Sequence, residues 1–312
     1  MKHHIYHHND LDGQASAAII AAWINEFCDD RDILFYEMNY GRPFDDSKID
    51  YENDYIYMVD FSLQPLDRML PLLANPRFIW IDHHKTSCQF VAEHPELGFC
   101  EDTSMPLCGI VTSNSGAGCE LTWQFYYGAT AGRAVPPIIK IISQYDTWNH
   151  NGPYEWDYIV LPVKTYLGML DTDPANAVWD TLLDKKISIS TIVNIGDNLL
   201  KFDRKRMAHL AKEHMYEGEF CGLKALIFNT AEGGSSQFEA ATDVTKYDIM
   251  VTYRRFKDQY WTVGLYTTNK DVDCSALAKK LGEVGPFKTG GGHRGAAGFQ
   301  TDTENISKLL KF

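Results

Sequence analysis

Four short stretches in the first half of the chain carry residue types that can hold divalent cations. Asp10 and Asp12 flank Leu11 directly after the run Lys2–His8. Asp60 closes the apolar run Tyr55–Val59, and Asp82, His83 and His84 close Arg77–Ile81. Asp146 ends the helical pattern Pro136–Tyr145. Taken singly, an aspartate after a strand is an ordinary turn former or helix cap, and a His-His pair is ordinary surface or core. Several carboxylates brought together are different, because they repel unless cations lie between them. Oxygen ligands with one or two imidazoles suit manganese or magnesium, manganese tolerating the nitrogen better. Two such ions about 4 Å apart can activate a water and stabilise both oxygens of an in-line phosphoryl displacement.

That chemistry requires a framework that gathers the residues. Short strand-like runs at Lys2–His8, Ile33–Met38, Tyr55–Phe61 and Arg77–Ile81 alternate with helical patterns at Gln14–Phe27 and Pro65–Leu73. Such alternation predicts an α/β fold with a mostly parallel, doubly wound sheet. Ligands of such sheets bind outside the carboxyl ends of the strands, which is where Asp10, Asp12, Asp60, His83 and His84 fall. Cys119–Tyr127 reads as a helix preceded by Ser113-Asn114-Ser115-Gly116. Those polar residues suit plain capping, with phosphate binding at a free helix N-terminus as the alternative. The aromatic positions Trp123, Phe125, Tyr126 and Tyr127 read as core. A long mixed-charge segment, Leu182–His214, suits a bridge between domains. From about Glu219 strands return at Leu223–Asn229, Ile249–Arg255 and Trp261–Tyr266, followed by a helix at Ser275–Leu281 and a glycine-rich loop at Gly290–Gly298. The domains expected are 1–185, a helical linker 186–215, and a smaller α/β domain 216–312.

The 312 residues carry a formal net charge of −13. Proteins that grip long duplex DNA are usually basic, because phosphate neutralisation drives that binding, so long duplex is excluded as the main partner. A small anionic substrate remains compatible, since bound divalent ions both offset the field and occupy carboxylates. Seven cysteines without a C-x-x-C imply neither a disulfide framework nor a zinc ribbon, but reduced thiols in a cytoplasmic protein. No apolar run is long enough to span a membrane. His3, His4, His7 and His8 form two separated pairs within a strand-like stretch, which argues against a purification tag.

His8-Asn9-Asp10-Leu11-Asp12-Gly13, then Asp60, then Asp82-His83-His84, then Asp146 resembles the four motifs of the DHH phosphoesterases, in that order. Gly290-Gly291-Gly292-His293-Arg294-Gly295-Ala296-Ala297-Gly298-Phe299 is similar to the substrate-binding motif of DHHA1 domains. The form of the first motif is most similar to the bacterial oligoribonuclease (nanoRNase) branch. The resemblance implies a DHH domain holding two Mn2+ ions, with Mg2+ as a substitute, followed by a DHHA1 domain. It implies Asp10, Asp12, Asp60, His83 and Asp146 as metal ligands, with Asp60 bridging and acting in catalysis and His84 orienting the phosphate. It also implies substrate binding by His293 with Gly290, Gly291, Gly292 and Arg294. Two positions depart from the family pattern. Tyr6 stands where many relatives place a ligand histidine, leaving His7 and His8 as substitutes and His8 as the candidate ligand. Tyr266-Thr267-Thr268 stands where many DHHA1 domains carry an arginine, and Arg294 is the candidate replacement. The match of Gly290-x-Gly292-x-x-Gly295 to a dinucleotide fingerprint fails on context, because no strand immediately precedes it and no βαβ unit can follow.

The expected function is hydrolysis of short single-stranded oligonucleotides by a manganese-dependent phosphodiesterase, exonuclease-like and without a membrane partner. The same parts also serve a cyclic- or linear-dinucleotide phosphodiesterase. A non-catalytic DHH-like scaffold is the reading from another class, and retention of every carboxylate argues against it. RNA against DNA, cutting direction and oligomeric state, a homodimer included, stay open at the level of sequence.

Overall fold

Alternate residues of the strand Tyr55–Val59 enter two different cores. Tyr57 and Val59 pack with Ile5, Ile19, Ile20 and Ile139, while Ile56 and Met58 pack with Tyr6, Phe78, Trp80 and Phe90. A strand buried on both faces reads as a continuous apolar run and belongs to a parallel sheet covered on both sides. The computed structural model describes residues 1–39, 43–99, 109–128, 131–184, 186–230, 234–239, 242–256, 259–287, 290–292 and 294–311. It divides the chain into two units, Met1–Leu200 and Lys201–Phe312.

The first unit is built on β1 (Lys2–His8), β2 (Asp32–Met38), β3 (Tyr55–Val59), β4 (Phe78–Asp82) and β5 (Gly109–Val111), in the order β2-β1-β3-β4-β5. Every neighbouring pair is parallel. Helices α1 (Leu11–Phe27), α4 (Gly118–Trp123) and α5 (Pro137–Asp146) contribute to one core, and α2 (Leu70–Leu73) and α3 (Lys85–Glu93) to the other. A doubly wound parallel sheet is therefore observed, as the alternating pattern predicts. α6 (Leu161–Leu167), α7 (Val178–Leu183) and α8 (Ile189–His214) follow, and α8 runs across the division between the units.

Register sets the site. His7 lies opposite Val59, and Val59 opposite Ile81. The next residues, His8, Asp60 and Asp82, therefore line up at the carboxyl ends of three adjacent strands. At the opposite end, His4 is fully buried with its Nε2 3.0 Å from Asp54 Oδ2, and His3 stacks on Tyr55 and Tyr57. Both are integral to the sheet.

The second unit holds β6 (Met215–Phe220), β7 (Leu223–Asn229), β8 (Ile249–Phe256), β9 (Tyr260–Tyr266), β10 (Gly290–Gly292), β11 (Ala296–Thr301) and β12 (Leu310–Lys311). Their order is β10-β11-β9-β8-β7-β6-β12, and among the described strands only the β7–β8 pair is parallel. With the end of α8, the described helices of this unit are α9 (Ser236–Glu239), α10 (Cys274–Val284), capped by the Asp273 carboxylate accepting from Ala276 N–H at 3.0 Å, and α11 (Thr303–Leu309). The segment expected as a glycine-rich loop is a β-hairpin instead: Gly290–Gly292 pairs with Ala297–Phe299. Glycines offer no alternating side-chain pattern, so their ladder is invisible to periodicity. No described helix is long and apolar enough to cross a membrane. Cys28, Cys88, Cys119, Cys221 and Cys274 are free thiols, whereas Cys100 and Cys108 lie outside the described residues.

Candidate metal centre

Asp60 sits at the middle of the carboxyl edge with φ +52°, a left-handed backbone that a non-glycine residue adopts only under constraint. Its amide donates to Ile81 O at 2.9 Å, which fixes it between β3 and β4. One oxygen, Oδ1, lies 3.1 Å from His83 Nε2 and 3.8 Å from His84 Nδ1. The other, Oδ2, faces His8 Nδ1 at 3.6 Å, beyond hydrogen-bonding distance, and is buried without a hydrogen bond among the described residues. A buried carboxylate oxygen left in that state costs free energy unless something cationic meets it.

The same excess of acceptors appears around His83. Its single Nε2 lies 3.1 Å from Asp60 Oδ1, 3.3 Å from Asp146 Oδ2 and 3.7 Å from Asp12 Oδ2. One N–H cannot serve three carboxylates. Three triads of donor atoms result: His8, Asp10 and Asp60; Asp60, His83 and His84; and Asp12, His83 and Asp146. Within each triad the donor atoms lie within 4.8 Å of one another. All six metal-ligand candidates of the sequence are thus brought together with His84. Between them the triads supply carboxylate oxygen and imidazole nitrogen in the mixture that suits a hard or borderline divalent cation. The donor set fits such ions.

Protonation tells the same story. Burial works against a charged His83, but the hydrogen bond to Asp60 and the charges of Asp12, Asp60 and Asp146 outweigh it and raise its pKa to about 10. His8 is likewise raised to about 10, against burial, by Asp10 and Asp60. Burial and then the charge of a neighbouring aspartate raise both Asp12 and Asp146 to about 7. Without cations, Asp12 and Asp146 tend to hold protons that carboxylates normally release, and His8 and His83 keep theirs, whereas Asp10, paired with His8, is lowered to about 2.

Asp10 serves twice. Its Oδ1 accepts from Gly13 N–H at 2.9 Å and caps α1, while Oδ2 lies 2.6 Å from His8 Nδ1. Asp10 thus caps α1 with one oxygen and still presents the other to the centre. His8, rather than His7, stands at the site: the Nδ1 of His7 lies 2.9 Å from the carbonyl of His8, and burial lowers its pKa. Tyr6 is committed to the other core, stacked on Tyr36 with its hydroxyl donating to Asp45 O at 3.0 Å.

Two positioning arrangements escaped sequence reasoning. The amides of Gly118 and Cys119, at the head of α4, donate to the Asp12 carboxylate at 2.7 and 2.8 Å. The expected capping by the Ser113–Gly116 stretch is not observed: Ala117 occupies the cap position with no side-chain bond, and Asp12 satisfies the amides from α1. Gly118 is required there, because a Cβ would stand 2.8 Å from Asp12 Oδ2 and 2.9 Å from Asp60 Cβ. Asp82 is the second case. It is fully buried, accepts from Ser87 Oγ at 2.7 Å and from His83 N–H at 2.7 Å, and lies 2.7 Å from His84 Nδ1. The signal for Asp82 was its place in the His-His motif; Gly118 and Cys119 left none.

In the second unit, Gly290 is set by packing, since a Cβ would meet Ala278 O of α10 at 2.2 Å, and Gly292 by its φ of +140°. Gly291 has open space around its Cα. The guanidinium of Arg294 is exposed, donates to Lys270 O and lies 3.8 Å from Asp273 Oδ2. The hydroxyl of Tyr266 accepts from Gly234 N–H at 3.0 Å. His293 lies outside the described residues.

No family model and no curated protein matches the chain. Among solved structures, a DHH-domain protein described as a member of the s1p family of ribosomal proteins is similar over 99% of this chain and 84% of its own, with a TM-score of 0.57 and 12% identity. The fold is that of the DHH-domain proteins. RecJ from Thermus thermophilus, solved in complex with Mn2+, shares the DHH fold at a TM-score of 0.50 and 13% identity, over 99% of this chain and 50% of that one. A pGpG-specific phosphodiesterase, PggH from Vibrio cholerae, aligns over 99% of this chain and 95% of its own with a TM-score of 0.46 and 16% identity.

Proposed function

We propose that the chain is a divalent-metal-dependent phosphodiesterase that hydrolyses short oligonucleotides, with two manganese ions as its preferred cofactor. The observation that carries this reading is Asp60, whose two oxygens face different donor triads and one of which accepts no hydrogen bond among the described residues. Mixed carboxylate and imidazole ligation favours manganese over magnesium. RecJ, which shares the fold, is solved in complex with Mn2+ and also with Mg2+, which supports a divalent-cation centre and leaves the preference for manganese to the ligand chemistry.

Asp10, Asp12, Asp60, His83 and Asp146, with His8, would hold the ions. When bound, a cation pair lowers the pKa of a water and draws charge from the phosphoryl oxygens. The chain supplies the rest. Burial opposes a charged His84, but the hydrogen bond and charge of Asp82 raise its pKa to about 9, so it carries a proton at neutral pH. Asp82 occupies Nδ1 and leaves Nε2–H to donate to a phosphoryl oxygen as negative charge develops. Gly118 and Cys119 hold Asp12 against rotation. The glycine hairpin, with His293 and Arg294, is assigned to substrate binding.

The preference for short substrates follows from charge. At −13 the chain offers little for a long backbone, and each phosphate that releases counterions steepens salt dependence by about 0.7 log units per log unit of salt on single strands. Oligonucleotides of about two to five residues should therefore give the highest kcat/KM, with a shallow salt slope. The test is a length series with linear and cyclic dinucleotides included, at two salt concentrations, with Mn2+, Mg2+ or EDTA. Full turnover in EDTA would refute metal dependence. Activity that climbs steadily to long strands and collapses with salt would refute the substrate assignment.

A further inference from the structure

Trp148 lies two residues beyond Asp146, the last of the aspartates at the metal centre. It has φ +54° and is 56% exposed. Both facts run against its chemistry. A bulky side chain on left-handed backbone is an outlier, and such positions favour glycine or asparagine. A large indole gains most when buried, as Trp80, Trp123 and Trp179 are, at 0%, 7% and 3% exposure. Residues on sparsely populated backbone persist where the surroundings hold them in place, and they cluster at active sites and ligand clamps.

The surroundings here do hold it. Trp156 meets Trp148 edge-on at 5.3 Å, and it stacks on His150 at 3.9 Å and on Tyr145 at 5.8 Å. The loop between these rings is clamped by Gln144. That buried side chain donates to Tyr154 O at 2.7 Å and accepts from Tyr154 N–H at 3.1 Å. Gly152 packs so closely on it that a Cβ would stand 2.4 Å from Gln144 Cδ. The loop amides of Trp148 and Asn149 donate to Tyr145 O at 3.1 Å and to Gln144 O at 3.0 Å. Trp148 is thus an aromatic face presented to solvent on a braced loop. Its Cα lies no more than about 7.6 Å from that of Asp146, the span of two trans peptides. The loop that carries the ring thus leaves directly from the helix end that brings Asp146 to the metal centre.

We infer that Trp148 is a base-stacking platform for the nucleotide whose phosphate occupies the metal centre. The inference rests on the proposed function and adds the group that distinguishes a nucleotide from any other phosphodiester. Stacking on an aromatic face tolerates every base, because each has a π-face. Trp148 therefore favours nucleotides without selecting among them.

The probe is 5′-AMP with Mn2+, titrated calorimetrically against ribose 5-phosphate, which has the phosphate and no base. Trp148→Asn removes the ring and suits left-handed backbone, and Trp148→Tyr keeps an aromatic face. Trp148→Asn should weaken 5′-AMP about tenfold, within the range one stacked base is worth. It should leave ribose 5-phosphate unchanged, and Trp148→Tyr should recover most of the loss. Equal affinity of wild type and Trp148→Asn for 5′-AMP, or no 5′-AMP binding at all, would overturn the inference. So would an equal loss for ribose 5-phosphate, which would make Trp148 a prop for the loop. Hydrolysis is measured separately on thymidine 5′-(p-nitrophenyl phosphate) and methyl p-nitrophenyl phosphate. If neither is cut, the proposed function fails, and the calorimetry still decides the role of Trp148.

Discussion

Asp82 engages His84 twice: its Oδ1 accepts from the backbone N–H at 3.0 Å and lies 2.7 Å from ring Nδ1. Orientation and charge of the imidazole therefore depend on one buried carboxylate. Asp82→Asn keeps the shape and removes the charge. The titration midpoint of His84, followed by NMR in the metal-free protein, should fall from about 9 towards the ordinary histidine value. Turnover should drop about 10- to 100-fold, the usual cost of losing a partner that orients a site residue. An unchanged midpoint would show that Asp82 does not control His84.

Asp60→Asn tests the shared carboxylate without disturbing its backbone, since asparagine tolerates the left-handed conformation that alanine resists. Contributions of several kcal/mol to charge stabilisation are at stake, so activity should fall about 100-fold or more. The metal-free variant should melt higher than metal-free wild type, because one charge of a crowded acidic cluster is gone. Full activity of Asp60→Asn would exclude it as a metal bridge.

The raised pKa values fix a sign for pH dependence. A group whose folded pKa exceeds its unfolded one stabilises the fold below the unfolded pKa, and this is lost as pH rises through the folded pKa. For Asp12 and Asp146 the loss runs from the ordinary carboxylate range up to about 7. For His8 and His83 it runs from the ordinary histidine range up to about 10. Metal-free protein should therefore melt at progressively lower temperature between pH 6 and 9. Because ligands must shed those protons to bind a cation, Mn2+ should bind more tightly, and raise the melting temperature more, as pH increases over that window. Thermal scans with EDTA or Mn2+ across the range decide it, and a pH-independent Mn2+ effect would contradict the ligand set.

Gly118→Ala places a methyl group against Asp12 and Asp60 at once. Overpacking of this kind costs about 1–3 kcal/mol, and here the displaced atoms belong to proposed ligands. Mn2+ affinity should fall with stability, measured by titration and denaturant unfolding on the same sample. A variant that loses stability while binding Mn2+ as wild type does would place the strain elsewhere.

The parallel sheet and its carboxylates were legible because the candidate ligands of β3 and β4 follow directly on apolar runs, and a strand buried on both faces has few polar interruptions; β1, with Lys2 and four histidines, was legible only as a short strand-like stretch. His8 was legible by its place beside Asp10, whereas the register that aligns it with Asp60 emerges only from the sheet. The clamp on Asp12 was not legible: Gly118 and Cys119 lie 106 and 107 residues away and act through backbone N–H groups, which carry no residue signature. The hairpin at Gly290–Gly292 was hidden for the same reason, since its pairing is entirely main chain. Trp148 was passed over because its information lies in a dihedral angle and an exposure.

His8, Asp60 and Asp82 follow in register on three neighbouring parallel strands. Neighbouring strands keep a separation of about 4.8 Å, set by their hydrogen-bonded ladder. The dimensions of the centre are therefore inherited from the main chain, with side chains supplying only the final reach. Erosion of the flanking cores, at Ile19 or Phe90 for instance, then acts on how long the molecule stays folded and leaves the gauge of the centre intact while it is. Such proteins can drift through many core sequences at constant chemistry, and lineages sharing little sequence can retain one reaction site.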